Sequence, residues 1–575
     1  MSAPPVPAAG PMSGRRFLGE DQLFLLLSIL IGVFAGLAVV CFRMSIDALR
    51  WIFFGSGLLP PRQRVVLVPG AVGLLVAFLV VRFFPRVRGS GVNQTKSALY
   101  IYDGYIPGST IVGKFITSAL AIGSGQSLGP EDPSLQIGAG LASLVGRRLK
   151  LSRQNLRLIA PVGAAAGLAA AFNTPIAAVL FVIEEVIGRW SAGVLGAVVL
   201  AAVSSVVVER WFLGAEPLFR APGYRLESPG ELLAYAVLGV AGGLAAMVFV
   251  KAIKFLRPLL KALPRWTQYL LPAIAGVLIG LIGLRFPQVM GAGYEYMDQA
   301  MHDQYTWEVL GILAGLKILA TVLSFSSGTP GGLFAPTLFI GAMVGGAVGG
   351  VERLLFPHFT GPLGAYALVG MGALFAGILR APMTSVFLVL EVSGNYAIIL
   401  PVIISNALAY LISRSLQPTP IFDLLSRQDG LDLPSLEEDR EVTLLRVEDA
   451  MRPPTPQVAL RLEVLPPPEA LEGLPGGFFL VQDRSGYWGG MSKAKLLELA
   501  SDQASDADVR VQQLPHLHPD HSLDVAMRRI GDWPLLPVVH RADGNKLVGV
   551  VSLADILEAY RKRGPALHEL PEPAD

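Results

Sequence analysis

The sequence is short of charged residues and of cysteine. Only 16% of its 575 residues are Asp, Glu, Lys or Arg, whereas about one-quarter of an average soluble domain is charged. Most of the chain therefore cannot face water. The net charge is +2 and no basic patch interleaved with aromatic residues is present, so we predict no nucleic-acid partner. The single cysteine, Cys41, rules out an internal disulfide framework.

Long apolar runs dominate the chain up to about residue 415. The first, Leu23–Phe42, reaches the roughly 20 residues that a membrane-spanning helix needs. Later runs of spanning length include Leu158–Ile183 and Ser385–Ile412, and many runs are broken by Gly and Pro. Lipid cannot satisfy a freed backbone group, so broken helices at membrane depth indicate a cavity lined by protein. We predict an all-α polytopic membrane domain.

The composition changes near Pro418, after which the chain becomes charged. We predict a disordered N-terminus over residues 1–19, a membrane domain over 20–425, a soluble domain over 440–563 and a disordered tail over 564–575. The basic cluster that includes Arg147, Arg148 and Lys150 predicts a cytoplasmic loop by the positive-inside rule. The expected location is the cell membrane, with the soluble domain in the cytoplasm.

The membrane domain contains an internal repeat. Ser124 matches Ser327 at an offset of 203 residues, and Pro175 matches Pro382 at an offset of 207. The order of the matches is the same in both halves, which favours a repeat over chance agreement. Paired segments interrupted by Gly and Pro indicate the binding site of a transporter. The other matches are Gly125–Gly328, Gly129–Gly332, Pro133–Pro336, Leu135–Leu338, Ile137–Ile340, Gly138–Gly341, Ala139–Ala342, Val162–Val369, Gly163–Gly370, Val179–Val386, Val182–Val389 and Glu184–Glu391.

Three Gly-rich segments are typical of helix starts: Gly89–Asn93, Gly125–Pro133 and Gly331–Pro336. A helix N-terminus presents free N–H groups and the positive end of the helix dipole. Several converging ends hold an anion without a full positive charge, firmly enough to bind it and weakly enough to release it. A single such segment would more simply indicate close helix packing, but three segments, two of them related by the repeat, favour an anion site.

These segments resemble the signature motifs of the CLC chloride channels and chloride/proton antiporters. The resemblance covers residues 20–425, and the region after it resembles a pair of cytoplasmic α/β CBS modules. It implies inverted repeats in each subunit, a homodimer in the lipid bilayer with one ion pathway per subunit, and chloride and protons as the transported species.

The resemblance also implies an anion-binding set. Ser90 matches a serine whose hydroxyl donates to the central anion. Leu333 and Phe334, which follow Gly332, match residues whose backbone N–H groups do the same. Phe422 stands where the family usually has a tyrosine, so one side-chain donor is missing.

Two acids match the proton-handling residues of the family. Glu131 matches the external gating glutamate, and Glu185 matches the internal proton-transfer glutamate. Glu131 could otherwise be an ordinary first-turn acid, but ionisable residues inside a membrane domain are functional by default. Glu184 has a repeat partner in Glu391, so we expect a structural role for that shared pair.

Other positions depart from the family pattern. Pro130 replaces a basic residue, Asn93 a proline and Asp132 a glycine. We expect an ionised Asp132 to repel anions at the mouth of the pathway. For Lys96 and Lys114 we favour interfacial snorkelling over a place in the pathway.

In the soluble region, Gly549–Asp555 resembles the end of a CBS module. The resemblance implies that Asp555 binds a ribose hydroxyl and Ser552 a phosphate, whereas Lys495 replaces the acid in the first module. At most one adenine-nucleotide site is therefore expected, and a purely structural dimerisation role stays open. We expect the nearby histidines to be solvated rather than metal ligands: His516, His518 and His521.

We predict a transporter and not an enzyme, since no nucleophile elbow, phosphate loop or zinc-protease helix is present. The predicted function is proton-coupled chloride antiport gated by Glu131, with no required cofactor and no metal. A passive chloride channel of the same family, regulated by the CBS pair, is the first alternative. A nucleotide-sensing membrane protein whose CBS pair is the working part is the second.

Overall fold

The chain folds into two compact units, Met1–Leu433 and Pro434–Asp575. The structure, a computed structural model, describes residues 20–55, 62–188, 192–219, 221–224, 226, 228–356, 361–431, 433, 445–501, 511–541 and 543–563. The termini predicted to be disordered, 1–19 and 564–575, lie outside the described residues, as do residues 440–444 of the predicted soluble domain.

The described part of the first unit is helical, as predicted. Eight of its described helices are long and apolar enough to cross a membrane, and shorter apolar helices lie between them. The helices are α1 Glu20–Phe54, α2 Arg62–Arg82, α3 Gly91–Tyr100, α4 Gly108–Gly123, α5 Glu131–Arg148, α6 Arg153–Phe172, α7 Pro175–Phe181, α8 Ala192–Leu213, α9 Glu231–Lys261, α10 Leu271–Gly283, α11 Tyr294–Met301, α12 Trp307–Ser326, α13 Phe334–Leu355, α14 Leu363–Leu379, α15 Pro382–Ser393, α16 Ile399–Leu416 and α17 Ile421–Gln428.

The long apolar run Leu158–Ile183 does not form one helix. It breaks after α6 at Asn173, whose φ of 58° is left-handed, and restarts at Pro175 as α7. A helix commonly ends at a left-handed residue, and proline is well suited to the first helical position. Beyond α7 the chain continues as a π-helical turn, Val182–Ile187.

The predicted internal repeat is confirmed in the packing of equivalent helices. Helix α5 crosses α6 where a side chain on Gly138 would meet the Gly163 carbonyl oxygen at 2.2 Å. Helix α13 crosses α14 in the same way, because a side chain on Gly341 would meet the Gly370 carbonyl oxygen at 2.4 Å. Small residues let helix backbones approach closely in membranes, and the repeat places them at corresponding crossings.

The second unit is a small α/β structure, as predicted. Strand β1 pairs in parallel with β2, which pairs antiparallel with β3, and β4 pairs antiparallel with β5. Its elements are α18 Val447–Ala450, β1 Ala459–Arg461, α19 Pro468–Glu472, β2 Phe478–Gln482, β3 Trp488–Ser492, α20 Lys493–Ser501, α21 Leu523–Ile530, β4 Leu536–His540, β5 Asp543–Val551 and α22 Leu553–Arg563.

Candidate functional site

The N-termini of α5 and α13 meet inside the first unit. Gly129 and Gly332, equivalent residues of the two repeats, exchange two backbone hydrogen bonds, each 2.8 Å long. The pair is antiparallel, so it fixes both helix starts around one point. First-turn N–H groups have no partner within their own helix, and the dipoles of both helices favour negative charge at this point.

The Glu131 side chain lies between these two helix starts. The residue is 0% exposed. Its Oε2 accepts a hydrogen bond of 3.3 Å from the backbone N–H of Ala335, in the first turn of α13. Oε1 is buried and has no hydrogen-bond partner among the described residues. The Glu131 carboxylate, which belongs to α5, therefore occupies the start of α13, a position whose N–H groups suit a negative charge.

Aromatic rings enclose the start of α13. The Phe334 ring centroid lies 5.1 Å from that of Phe181 and 6.3 Å from that of Phe422. All three residues are at most 2% exposed. The Phe422 carbonyl accepts a hydrogen bond of 2.8 Å from Asn93 Nδ2, which ties α17 to α3. Phe422 thus supplies shape and excludes water, but it offers no hydroxyl.

Ser90 caps the N-terminus of α3, but its hydroxyl already has an acceptor. Ser90 Oγ donates to Asp132 Oδ1 over 2.8 Å. Asp132 is 2% exposed and its carboxylate is turned to the start of α3. The expectation that Asp132 acts at the mouth of the pathway is therefore wrong. It lies next to the predicted donor Ser90, deep in the same site.

Glu185 forms a buried ion pair. Its Oε1 lies 2.6 Å from Lys96 Nζ, and Asp423 Oδ1 lies 3.7 Å from the same nitrogen. The prediction that Lys96 snorkels to the interface is wrong, because the residue is 1% exposed. Glu185 belongs to the π-helical turn after α7, and such turns are frequent at functional sites.

The neighbouring Glu184 has the predicted structural role. Glu184 Oε2 accepts from the Thr384 backbone N–H over 3.0 Å at the start of α15. Its repeat partner Glu391 accepts from the Ala177 backbone N–H over 2.8 Å at the start of α7. Each acid caps the helix of the other repeat, which satisfies first-turn N–H groups.

The second lysine, Lys114, was also assigned wrongly to the interface. It is 0% exposed, and its Nζ donates to the carbonyl oxygens of Val87 and Gly89 over 3.2 and 3.1 Å. The repeat partner, Lys317, holds the equivalent carbonyls of Val289 and Gly291 over 3.0 and 2.7 Å. Both lysines fix a loop that precedes a short helix.

A cavity of about 560 Å³ reaches Pro130, the residue before Glu131. Arg43 and Arg50 line it together with the acids Asp47 and Glu295. The cavity therefore extends to within one residue of Glu131.

In the second unit, Ser552 and Asp555 contact each other at the start of α22. Asp555 Oδ2 accepts from the Ser552 hydroxyl over 2.6 Å and from its backbone N–H over 2.8 Å. Asp555 Oδ1 forms an ion pair of 2.9 Å with Arg452. Both residues therefore help to begin a helix, and nucleotide binding by them stays a prediction.

Broken helices, an internal repeat and a buried site at converging helix starts define an ion-transporting membrane protein of the secondary-transporter class. The family model described as voltage gated chloride channel matches residues 72–414, and the CBS domain model matches residues 507–562. The chain belongs to the voltage-gated chloride channel family, as predicted, and is a multi-pass membrane protein.

Individual relatives agree with this assignment. An H(+)/Cl(-) exchange transporter ClcA from Vibrio campbellii is 33% identical over 414 residues, which cover 70% of this chain and 88% of the relative. The crystal structure of a slow cyanobacterial Cl-/H+ antiporter superposes with a TM-score of 0.66 at 25% identity and covers 72% of this chain and 99% of that one. A eukaryotic CLC transporter, 22% identical, shares the fold over 93% of this chain and 98% of its own, with a TM-score of 0.63.

Sequence reasoning missed three members of the site. Lys96 and Asp423 form the surroundings of Glu185, and Asn93 ties α17 to α3. The sequence did contain one signal for Lys96. It is an ionisable residue of the membrane domain that follows Ser90 on a short helix, and such residues are functional by default. No such signal indicated that Asp132 accepts a hydrogen bond from Ser90, since this contact depends on how α3 packs beside α5.

Proposed function

We propose that this protein exchanges chloride for protons across a membrane. The observation that carries the proposal is the Glu131 carboxylate, which accepts from the Ala335 N–H at the start of α13. A carboxylate and a chloride ion compete for such N–H groups. The exchange activity named for the Vibrio relative and for the cyanobacterial antiporter supports the same function.

In this mechanism Glu131 couples the two ions. Ionised Glu131 occupies the start of α13 and excludes chloride from it. On protonation the side chain loses its charge and most of its attraction to the helix dipoles, so chloride takes its place beside the N–H groups of Leu333 and Phe334. Glu131 then exchanges its proton with the aqueous cavity next to Pro130. Each cycle thus moves an anion inward or outward against a proton.

Glu185 serves the opposite end of the proton path. A proton that crosses low-dielectric protein needs a titratable group within reach of each aqueous face, and Glu131 also has to move within the anion path. Glu185 is held by Lys96 rather than by a helix start. To carry protons it has to exchange the contact with Lys96 for a proton, and the nearby Asp423 offers Lys96 an alternative partner.

A passive chloride channel is the rival function. Purified protein in liposomes separates the two: vesicles with a chloride gradient are placed at equal pH inside and outside, and internal pH is followed. Antiport predicts that chloride flow drives protons in the opposite direction and builds a pH difference. Chloride flow without proton movement would identify a channel, and the absence of both would contradict anion transport.

We further propose that the protein works as a homodimer. The acids Glu184 and Glu391 are half-buried, beside the exposed apolar residues Ile176 and Met383 at the starts of α7 and α15. Carboxylates at a lipid-facing surface are costly, so a second copy is a more favourable neighbour than lipid. Subunit counting of labelled protein in liposomes tests this, with Ile176→Trp as the disrupting variant and Leu67→Trp on α2 as the control.

We also propose that the second unit is cytoplasmic, and the positive-inside rule supports the orientation of the membrane unit that this location requires. The basic residues Arg147, Arg148 and Lys150 lie at the opposite end of α5 from Glu131, roughly 27 Å away for an 18-residue helix. The positive-inside rule then places Glu131 toward the outside. In a Cys41→Ser background, Lys150→Cys should be unreactive to an impermeant maleimide applied to intact cells.

We also propose that the second unit binds one adenine nucleotide through Ser552 and Asp555. Arg452 would have to release Asp555 for this, and its guanidinium could then contact the phosphate. Titration of the full-length protein with AMP and ATP is the measurement, with Asp555→Asn as the variant expected to lose binding. If neither protein releases or absorbs a heat of nucleotide binding, the unit has a structural role alone.

A further inference from the structure

The carboxylate of Asp132 is bound at the N-terminus of α3. Its Oδ1 accepts from the Ser90 hydroxyl over 2.8 Å and from the Val92 N–H over 3.2 Å. Its Oδ2 accepts from the Gly91 N–H over 2.8 Å, and Lys114 Nζ lies 3.9 Å from the same oxygen. The hydrogen-bond and ion-pair partners described for this carboxylate are all donors.

These donors form the kind of set that binds an inorganic anion. A hydroxyl, two first-turn N–H groups and a nearby ammonium together favour one negative charge. The set cannot serve two anions at once, because a hydroxyl has a single proton to donate and two negative charges at van der Waals distance repel each other. When the Asp132 carboxylate holds these donors, an inorganic anion cannot bind Ser90, and a bound inorganic anion excludes the carboxylate in the same way.

The surrounding backbone holds Asp132 in this place. A side chain on Gly91 would meet the Asp132 carbonyl oxygen at 2.6 Å, and one on Gly332 would meet Asp132 Cβ at 2.8 Å. The starts of α3 and α13 therefore close on Asp132 from two sides. Its consecutive neighbour Glu131 points instead to α13, so two adjacent residues place carboxylates on two different helix starts.

We propose that Asp132 is a second tethered anion, which competes with the transported anion for Ser90 and the start of α3. It sets the anion affinity of the central site and makes the Ser90 hydroxyl available only when its carboxylate withdraws. The proposal rests on the anion transport proposed above and adds a specificity-determining residue to it. Glu131 competes at one helix start and Asp132 at the other.

The test is chloride binding to the full-length protein, purified in chloride-free isethionate buffer and titrated with chloride in a calorimeter. Asp132→Gly and the nearly isosteric Asp132→Asn should each bind chloride at least about tenfold more tightly, the factor expected for recovering one charge-assisted hydrogen bond. Glu308→Gln, which removes an exposed first-turn acid of α12, is the matched control and should bind chloride as the unmodified protein does.

A double-mutant cycle identifies the competing contact. Ser90→Ala should weaken chloride binding markedly in the Asp132→Gly background and much less in the unmodified protein, since Asp132 there uses the hydroxyl. Unchanged or weaker binding in both Asp132 variants, at preserved unfolding temperature, would overturn the proposal. So would an equal effect of Ser90→Ala in both backgrounds. Chloride flux in liposomes distinguishes failure of the Asp132 proposal from failure of the proposed transport. Absence of flux in the unmodified protein and in every variant would contradict the transport itself.

Discussion

The two halves of the membrane unit hold their backbones with residues at equivalent positions, most of them of the same type. Equivalent glycines pair the two helix starts, equivalent lysines hold equivalent loop carbonyls, and equivalent glutamates cap each other's helices. Asn173 and Arg380, also equivalent at the offset of 207, both end a helix in the left-handed conformation with φ of 58° and 60°. The shared pairs are Lys114–Lys317, Gly129–Gly332, Asn173–Arg380 and Glu184–Glu391.

The halves differ at the site itself. At the offset of 203, Glu131 corresponds to Phe334 and Asp132 to Ala335. Helix α5 therefore supplies two carboxylates where α13 supplies a ring and a methyl group. The comparison shows that residues at equivalent positions build the scaffold, whereas the acids to which we assign a role at the site are found in one half alone. If both halves carried an acid at this point, the two carboxylates would lie close together and their negative charges would repel each other.

Removing the unshared Glu131 should have the largest effect. We expect Glu131→Ala to retain chloride flux while chloride-driven proton movement falls at least about 100-fold, the smallest loss typical for removing a proton-transfer group. Chloride flux should also lose its dependence on pH. Liposome flux assays with chloride and pH electrodes are the measurement. Normal coupled exchange in this variant would contradict the assignment of Glu131 as the gate.

A comparison of the adjacent glutamates separates shared from unshared acids. Glu185→Gln should stop proton movement while chloride still flows down its gradient, because a glutamine side chain cannot take up and release a proton at this position. Glu184→Gln should keep coupled exchange and lower the unfolding temperature, since it caps α15. If Glu185→Gln still pumps protons as well as the unmodified protein, another group carries them.

The buried pair of Lys96 and Glu185 should dominate the stability effects. Lys96→Met leaves a buried carboxylate without its partner, which costs about 3–5 kcal/mol. The double variant Lys96→Met with Glu185→Gln should recover much of that loss, because both charges are then removed. Unfolding in detergent, followed by tryptophan fluorescence, gives the comparison. Additive losses would mean that the two residues do not interact.

The two symmetric lysines should show smaller and similar effects. Lys114→Met and Lys317→Met each remove two hydrogen bonds to loop carbonyls, at about 0.5–1.5 kcal/mol net for each bond. Lys114→Met should cost somewhat more, since it also leaves Asp132 without a nearby cation. Thermal unfolding of both variants checks this ranking. A much larger loss for Lys317→Met would break the proposed equivalence.

The smallest effect should come from Phe422. Phe422→Tyr adds the hydroxyl that this aromatic shell lacks and should tighten chloride binding by about 0.5–1.5 kcal/mol, the net contribution of one neutral hydrogen bond. Titration calorimetry compares both proteins, with Phe375→Tyr as a control for a hydroxyl added to another ring that contacts Phe334. Unchanged affinity would show that Phe422 does not line the anion site.

Much of the fold could be predicted because it depends on composition and on local pattern. Runs of apolar residues fix which segments avoid water, and Gly and Pro fix where helices break. The repeat exposed Glu184 as structural, since a residue needed twice appears twice. The sequence also indicated Glu131 and the start of α13, because a helix start and an acid can both be identified locally.

The remaining parts of the site could not be predicted, because they depend on contacts between distant segments. Lys96 and Asp423 are separated by more than three hundred residues, and their sequence neighbours do not show that they share Glu185. The π-helical turn that carries Glu185 has a regular helix, α15, as its repeat counterpart, so local pattern alone does not distinguish the two.

By itself, the sequence determined that this is a membrane protein with a doubled scaffold and an anion-attracting centre, because hydrophobicity, helix breaks and repeats are properties of short segments. Only the tertiary structure decided that Asp132 reaches Ser90 and that Lys96 pairs with Glu185. Which donor meets which carboxylate depends on where helices cross, and in a buried site each donor can satisfy only the acceptor that packing brings within hydrogen-bond distance.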